Sequence, residues 1–181
     1  MKANRRDPVT AYVALGANLG DAQQAVLLAM GALAVVPGTR VTGRSRLYRT
    51  TPYEAQGPDF INAVAQIETR LSAPALLDEL QALEQLAGRQ RPYVNAPRTL
   101  DLDLLFYGQA SVSSPRLTLP HPRWRERAFV LRPLADLVPD WVTAEDGARV
   151  AQAVMVVDVE IALLVREQFL DQGDLPARFG K

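Results

Sequence analysis

The 181-residue sequence contains no cysteine, one histidine (His121) and only two lysines, Lys2 and Lys181, near its two ends. Each scarcity removes a chemistry. Without cysteine there can be no disulfide, thiolate nucleophile, iron–sulfur cluster or Cys-bearing zinc site. A single histidine excludes a multi-His metal cage and leaves at most one imidazole base. With no interior lysine, a Walker A loop, a Schiff-base lysine or a kinase-type phosphate lysine has nothing to be built from. Long apolar runs are also missing, since none approaches the roughly 20 residues needed to cross a bilayer. Charge of one sign is not in excess either. With 20 basic and 20 acidic residues, long-range attraction to a polyanion such as nucleic acid is not the main theme. What remains is chemistry by Asp, Glu, Arg, Asn and hydroxyl groups, which suits hard cations and phosphate.

Hydrophobic residues make up 48% and charged residues 22%, an ordinary balance for a soluble globular chain long enough for one real core. A single domain over 1–181 is therefore expected. Met1 to Asp7 lead into the first strand-like run without an apolar signal region, and a cytoplasmic location is the expectation.

The run Thr10–Leu15 is β-prone and ends in a Gly16–Asp21 turn that feeds a helix from Ala22 to Leu33, where Val26, Ala29, Met30 and Leu33 fall at helical spacing. Pro37-Gly38 ends it. Gly16 and Gly20 stand four apart, which is not a dinucleotide fingerprint. Arg40–Tyr48 reads as a second strand and Thr50–Pro58 as a long loop. Phe60–Thr69 reads as a third strand, with Ile61, Ala63, Ala65 and Ile67 on one face and Phe60, Asn62, Val64 and Gln66 on the other. Ser72 then caps a helix with Pro74 in its first turn, an apolar stripe of Leu76, Leu77, Leu80, Leu83 and Ala87, and Gly88 as its stop. After a polar loop over Arg89–Arg98, Thr99–Phe106 is a strand. The order β-α-β-β-α-β predicts an α+β, ferredoxin-like sandwich with an antiparallel sheet and additional C-terminal elements. A short helix is expected around Pro133–Val138. The stretch Val150–Val165, dense in Val, Ala, Leu and Ile, is read as a helix packing on the sheet.

The segment Arg98-Thr99-Leu100-Asp101-Leu102-Asp103-Leu104-Leu105 carries the clearest chemistry. Alternation in a strand sends Leu100, Leu102 and Leu104 to the core and leaves Asp101 and Asp103 together on the opposite face. Asp is unfavourable in strands, and two adjacent carboxylates repel without a counter-charge. Mg²⁺ relieves that repulsion by taking carboxylate oxygens and completing its shell with water and phosphate. A solvated strand face would carry the same pair, but the neighbourhood argues for a site. From Gly88 to Arg132 there are eight arginines against three acids, Asp101, Asp103 and Glu126, and guanidinium groups grip phosphate in a bidentate way. His121 is held between Pro120 and Pro122, where it could donate to a phosphate. Asn62 and Phe60 share a strand face that could hydrogen-bond and stack a flat heterocycle.

Four blocks in this sequence give it a close resemblance to the 6-hydroxymethyl-7,8-dihydropterin pyrophosphokinase family. They are Tyr12 to Asp21; Tyr48-Arg49-Thr50 with Gly57 to Val64; Pro97 to Leu105; and Leu117 to Arg123 continuing through Arg127 to Leu131. They stand in family order and spacing over about residues 10–140, leaving about 141–181 as a C-terminal extension without a matching motif. The resemblance implies transfer of pyrophosphate from ATP to the hydroxymethyl group of the pterin, leaving AMP. It further implies two Mg²⁺ ions held by Asp101 and Asp103, and phosphate neutralisation by Arg89, Arg91 and Arg98. Gln81, Glu84, Arg116, Thr118, His121 and Arg127 would line the nucleotide site. Thr50, Thr51, Tyr53, Phe60, Asn62 and Phe129 would bound the pterin, with Phe60 and Phe129 as the stacking pair. Two positions depart from the family pattern: Asn95 stands where many relatives carry a Trp, and Pro92 where a Lys often follows the second loop arginine. The implied partners are ATP and the pterin, with no nucleic acid or membrane, and a monomer is expected unless the C-terminal tail associates.

The residues alone leave two other classes open, another Mg-dependent nucleotidyl- or glycosyl-transferase and a ferredoxin-like binding module. An RNA-binding sheet presents exposed aromatics on its central strands, whereas this strand presents Asp101 and Asp103, which repel phosphate unless a metal intervenes. That feature disfavours the module.

Overall fold

Short polar side chains start the two long helices. The first, α1 (Ala22–Ala32), begins where the Asp21 carboxylate accepts the Gln24 N–H at 2.9 Å. The second, α2 (Ala73–Leu86), begins where Ser72 Oγ accepts the Ala75 N–H at 3.4 Å, with Pro74 just inside. Its end is fixed by Gly88, whose φ of +77° suits a residue without Cβ. These elements belong to a computed structural model that describes residues 6–52, 57–88 and 99–146 and the backbone of 155–157.

Between and after these helices run β1 (Val9–Ala17), β2 (Thr39–Arg44), β3 (Leu47–Thr50), β4 (Phe60–Thr69) and β5 (Asp101–Tyr107). A two-stranded ribbon of β6 (Val112–Ser113) and β7 (Thr118–Leu119), a helix α3 (Ala128–Leu137) and a last strand β8 (Met155–Val157) follow. The main sheet has the order β5-β1-β4-β3-β8, with β2 also paired to β4. All its pairings are antiparallel, and β1 runs along β4 from Val9↔Thr69 to Ala17↔Ile61. Counting β2 and β3 as successive halves of one strand, the order is fourth-first-third-second. This is the ferredoxin-like α+β topology expected from the sequence.

The alternation of each strand decides which layer it feeds. Val13, Leu15, Ile67, Leu102 and Leu104 point to α1 and α2 and close a core with Met30, Leu33, Leu76 and Leu80. Each such side chain contributes about 1.5–3 kcal/mol relative to leaving it in water. The opposite face carries Tyr12, Val64, Leu105 and Phe106, covered by Val130 and Leu134 of α3. There Phe106 meets Tyr12, Trp124 and Trp141 with ring centroids 6.1, 5.0 and 4.9 Å away. Among the described residues the sheet is thus covered by α1 and α2 on one side, and on the other in part, by α3 with Trp124 and Trp141.

Four expectations change. The second strand is not continuous over Arg40–Tyr48. Ser45 Oγ takes the Val64 N–H at 2.8 Å in place of a backbone carbonyl, and the Arg46 N–H turns to Asp136 at 3.0 Å, so the ladder breaks into β2 and β3. In the D-x-D strand, the register against β1 shifts between Tyr12 and Val13. Leu105 is the extra residue of this bulge, so Phe106 turns to the α3 side instead of following Leu102 and Leu104. The short helix at Pro133 begins earlier, at Ala128, and carries Pro133 inside it, where proline lacks the N–H that would reach back to Phe129 and its ring crowds that carbonyl. In the Val150–Val165 stretch, Met155–Val157 is strand rather than helix, pairing with Leu47–Arg49 of β3. A β-branched run satisfies the open edge of β3 directly; the rest of that stretch lies outside the described residues.

Candidate active site

The register places the candidate residues in rows across the face that α3 leaves partly open. In one row Asp101 of β5 stands opposite Gly16 of β1, Gly16 opposite Asn62 of β4, and Asn62 opposite Tyr48 of β3. In the next, Asp103 stands opposite Ala14, and Ala14 opposite Val64. Directly paired residues project to the same side of a sheet. Asp101 and Asn62 are therefore two strands apart, about 9–10 Å between backbones, and the residue between them has no side chain. A Cβ built on Gly16 meets one described atom within 4 Å, Asn62 Oδ1 at 3.0 Å. The sheet thus offers a floor between a carboxylate and a carboxamide.

The carboxamide is fixed. Asn62 is 4% exposed, and its Nδ2 donates to Thr50 Oγ1, also buried, at 2.8 Å. Phe60 lies half-buried at the start of β4 opposite Thr50. Phe129 packs half-buried beside the second core, with the Arg127 guanidinium 5.6 Å from its ring centre. Thr51 is described and exposed. Asn18, beyond the end of β1, donates to the Pro58 carbonyl at 3.2 Å and holds the end of the loop leading into β4.

On the other side, β5 is an edge strand among the described residues, and that edge borders a cleft of about 310 Å³. Gln81 and Glu84 of α2, Asp103 of β5, and Arg116, Thr118 and His121 line it together. Glu84 is 1% exposed, and its Oε1 accepts the Leu102 N–H at 2.8 Å. A helix carboxylate thereby satisfies a donor on that edge and keeps both aspartates in register. Arg116 pairs with Asp78 on α2. Arg127 Nη1 lies 3.4 Å from Asp103 Oδ2, so a guanidinium already balances one of the two carboxylates.

His121 reaches this cleft because of the bulge. Its N–H donates to the carbonyl of the bulged Leu105 at 2.9 Å, which seats the segment after the cis Leu119–Pro120 peptide beside Asp103. Burial pushes the imidazole below its ordinary value; Arg127 and Arg123 push the same way, against Asp103 and Asp101. Its Nδ1 accepts the Arg123 N–H at 3.2 Å, so the neutral ring carries its proton on Nε2. That proton is a donor suited to a phosphate oxygen.

The structure thus gathers Gln81, Glu84, Asp103, Arg116, Thr118 and His121 at one cleft, with Arg127 on Asp103. It sets Asn62, Phe60 and Thr50 on the sheet strands beyond Asp101, and Phe129 on α3 packed against the same face. Arg89, Arg91, Arg98 and Tyr53 lie outside the described residues. Sequence reading missed Ser114, which lines the cleft and closes the turn that presents Arg116. Its Oγ accepts the Leu117 N–H and donates to the Leu117 carbonyl, both at 3.0 Å. The Ser-Pro pair at 114–115 was the available signal. It also missed the Arg46–Tyr48–Asp136 contacts, for which nothing local gives a sign.

Among the described residues no three His, Asp or Glu side chains gather as a metal cage. Two hard carboxylates on one strand face, one of them lining the cleft, nevertheless fit a Mg²⁺ ion that takes its other ligands from phosphate and water.

The chain is similar to known proteins in sequence and in fold. The family model described as 7,8-dihydro-6-hydroxymethylpterin-pyrophosphokinase (HPPK) matches residues 12–139. The chain is 43% identical over 148 residues to a 2-amino-4-hydroxy-6-hydroxymethyldihydropteridine pyrophosphokinase of Synechocystis sp., covering 82% of this chain and 76% of that protein. It is 46% identical over 130 residues to the protein of the same name from Pseudomonas aeruginosa, covering 71% and 80%. The fold is similar to that of a Plasmodium falciparum HPPK-DHPS triple mutant crystallised with STZ-DHP, with a TM-score of 0.59 at 15% identity. That likeness covers 76% of this chain but only 41% of the longer one.

Proposed function

The chain belongs to the 7,8-dihydro-6-hydroxymethylpterin-pyrophosphokinase family, and from that premise we propose how its residues divide the work. The enzyme is an ATP-dependent diphosphotransferase of folate biosynthesis: it moves pyrophosphate from ATP to the hydroxymethyl group of the dihydropterin, giving AMP and the pterin pyrophosphate. In this proposal the ATP lies in the cleft at the edge of β5 and the pterin on the sheet floor above Gly16. Asp101 and Asp103 stand between them.

One observation carries this reading: the two carboxylates separate a cleft lined by His121, Arg116, Thr118 and Gln81 from a floor bounded by Asn62 and Thr50. Phosphoryl transfer needs positioning and charge neutralisation more than covalent help, and both are within reach of these groups. Asn62 and Thr50 read the polar edge of the flat pterin, while Phe60 and Phe129 bound its faces. That places the hydroxymethyl group toward Asp101. His121 donates from Nε2 to a phosphate oxygen. Arg116 and Arg127 add fixed positive charge, joined by Arg89, Arg91 and Arg98 from the segment that follows α2 in sequence. Asp101, the nearer carboxylate to the hydroxyl, orients it. Asp101 and Asp103 would hold two Mg²⁺ ions, which supply charge neutralisation across the triphosphate. We assign the chain to the cytoplasm as a monomeric single domain, its catalytic part over about 10–140. No helix among the described residues is long and apolar enough to cross a membrane.

The test follows the products. With Mg·ATP and 6-hydroxymethyl-7,8-dihydropterin, purified protein is expected to form AMP, and EDTA to stop it reversibly. Asp103→Ala is expected to abolish turnover while the circular-dichroism spectrum and cooperative unfolding persist. Formation of ADP, or full activity in Asp103→Ala, refutes the assignment.

A further inference from the structure

We propose that Asp136, which touches no substrate group in this reading, is a positioning residue that sets the width of the pterin pocket by tying α3 to β3. Its carboxylate sits in the last turn of α3 with 15% of the side chain exposed. It accepts four hydrogen bonds: from Arg46 N at 3.0 Å, Arg46 Nε at 3.3 Å, Arg46 Nη2 at 2.8 Å and Tyr48 Oη at 2.7 Å. An exposed Arg–Asp pair alone would contribute little. Here, however, one of the bonds involves a group that has no choice of water. Tyr48 is fully buried, so its hydroxyl needs an internal partner, and the Arg46 N–H adds a backbone anchor where the pairing with β4 breaks between β2 and β3. The guanidinium groups of Arg46 and Arg132 lie 5.9 and 5.7 Å from the centre of the Tyr48 ring and restrain it further.

Both ends of this clamp lead to the pocket. On the strand side, Tyr48 is directly opposite Asn62, and Thr50, two residues on, holds the Asn62 carboxamide. On the helix side, Phe129 precedes Asp136 by seven residues, close to two turns, so the two lie on the same side of α3. One carboxylate therefore fixes the strand that carries the hydrogen-bonding wall and the helix that carries the stacking wall. A flat ring fits between them only at one separation.

This inference rests on the pterin site proposed above, and the experiment separates the two. Steady-state constants for pterin and for ATP are measured in Asp136→Asn, Tyr48→Phe and Asn62→Ala. Tyr48→Phe removes one bond without opening a cavity and stands in if Asp136→Asn fails to fold. The expectation is a KM for pterin raised roughly ten-fold in Asp136→Asn and a few-fold in Tyr48→Phe, with kcat and the KM for ATP within about two-fold. Calorimetric affinity for the pterin should fall in step, and the double variant should fall short of the sum, because both changes act on one carboxylate. A lowered Tm with unchanged pterin KM in both clamp variants, while Asn62→Ala raises it, overturns the positioning role alone. Unchanged pterin KM in all three overturns the pocket itself.

Discussion

The floor between Asp101 and Asn62 exists because residue 16 has no side chain, and Gly16→Ala tests what that absence does. The backbone at Gly16 is ordinary strand, so alanine is not strained there. Removing glycine from a strand interior should favour folding by roughly 0.5–1 kcal/mol. Against this, the new Cβ would stand 3.0 Å from Asn62 Oδ1, a few tenths of an ångström inside a comfortable contact. Asn62 is 4% exposed and tied to Thr50 at 2.8 Å, so the carboxamide can give way only by lengthening that bond. A hydrogen bond of this kind contributes about 0.5–1.5 kcal/mol. The two terms nearly cancel, and chemical unfolding should find the variant within about 1 kcal/mol of the parent. Pterin binding has no such compensation. The floor is raised by a methyl group and one polar wall is displaced, so the KM for pterin should rise at least about ten-fold, the equivalent of 1.4 kcal/mol. The KM for ATP, bound across β5, should hardly move. An unchanged pterin KM in a folded Gly16→Ala enzyme would show that no ring lies over residue 16. A loss of several kcal/mol in stability would show instead that the sheet tolerates no Cβ there.

Two further predictions concern the supports of the site. Glu84→Ala leaves the Leu102 N–H without its acceptor and should cost about 1.5–3 kcal/mol, as expected for a buried bond to a charged group. Glu84→Gln keeps an acceptor and should cost less, and equal losses in urea unfolding would contradict the edge-capping role. The clamp also has a pH signature. Burial, followed by the Asp136 bond, pushes the Tyr48 hydroxyl from 10.0 up to about 12. Its contribution is therefore present below pH 10 and is lost as pH rises toward about 12. Burial alone would raise Asp136, but its hydrogen bonds from Arg46 and Tyr48 outweigh that and hold it below the ordinary 3.8. That contribution is present above 3.8 and disappears as pH falls through the lowered value. The stability advantage of the parent over Tyr48→Phe should thus shrink above pH 10, and its advantage over Asp136→Asn below 3.8. A pH-independent gap in thermal unfolding would contradict both shifts.

Much of the fold was legible because local rules and tertiary packing agree there. Phe60–Thr69 was read to the residue, since its alternation matches two faces that are both used, by α1 and α2 on one side and by α3 on the other. Ser72 and Gly88 marked the ends of α2 by capping chemistry that needs no partner. The D-x-D pair was legible because two carboxylates in a strand are costly without a cation. Placing His121 beside that pair needed the resemblance, since no periodicity connects residue 121 to residue 103. Three of the four differences share a cause. Ser45, Leu105 and Met155–Val157 are governed by the neighbouring strand, through a hydroxyl that replaces a carbonyl, a bulge, and an open edge.

The sequence by itself determined the chemistry available: no thiol, no interior lysine, one imidazole, paired carboxylates among arginines, on a β-α-β-β-α-β frame. Residue types and local periodicity are properties of the chain, so they needed no fold to be read. Only the tertiary structure decided how that chemistry is arranged. It set Gly16 between Asp101 and Asn62, aimed Glu84 at the edge of the aspartate strand, bulged Leu105 so that its carbonyl seats His121, and closed Asp136 on Tyr48 across 88 residues of chain. These are contacts between segments remote in sequence, fixed by strand register and by the need of buried polar groups for partners.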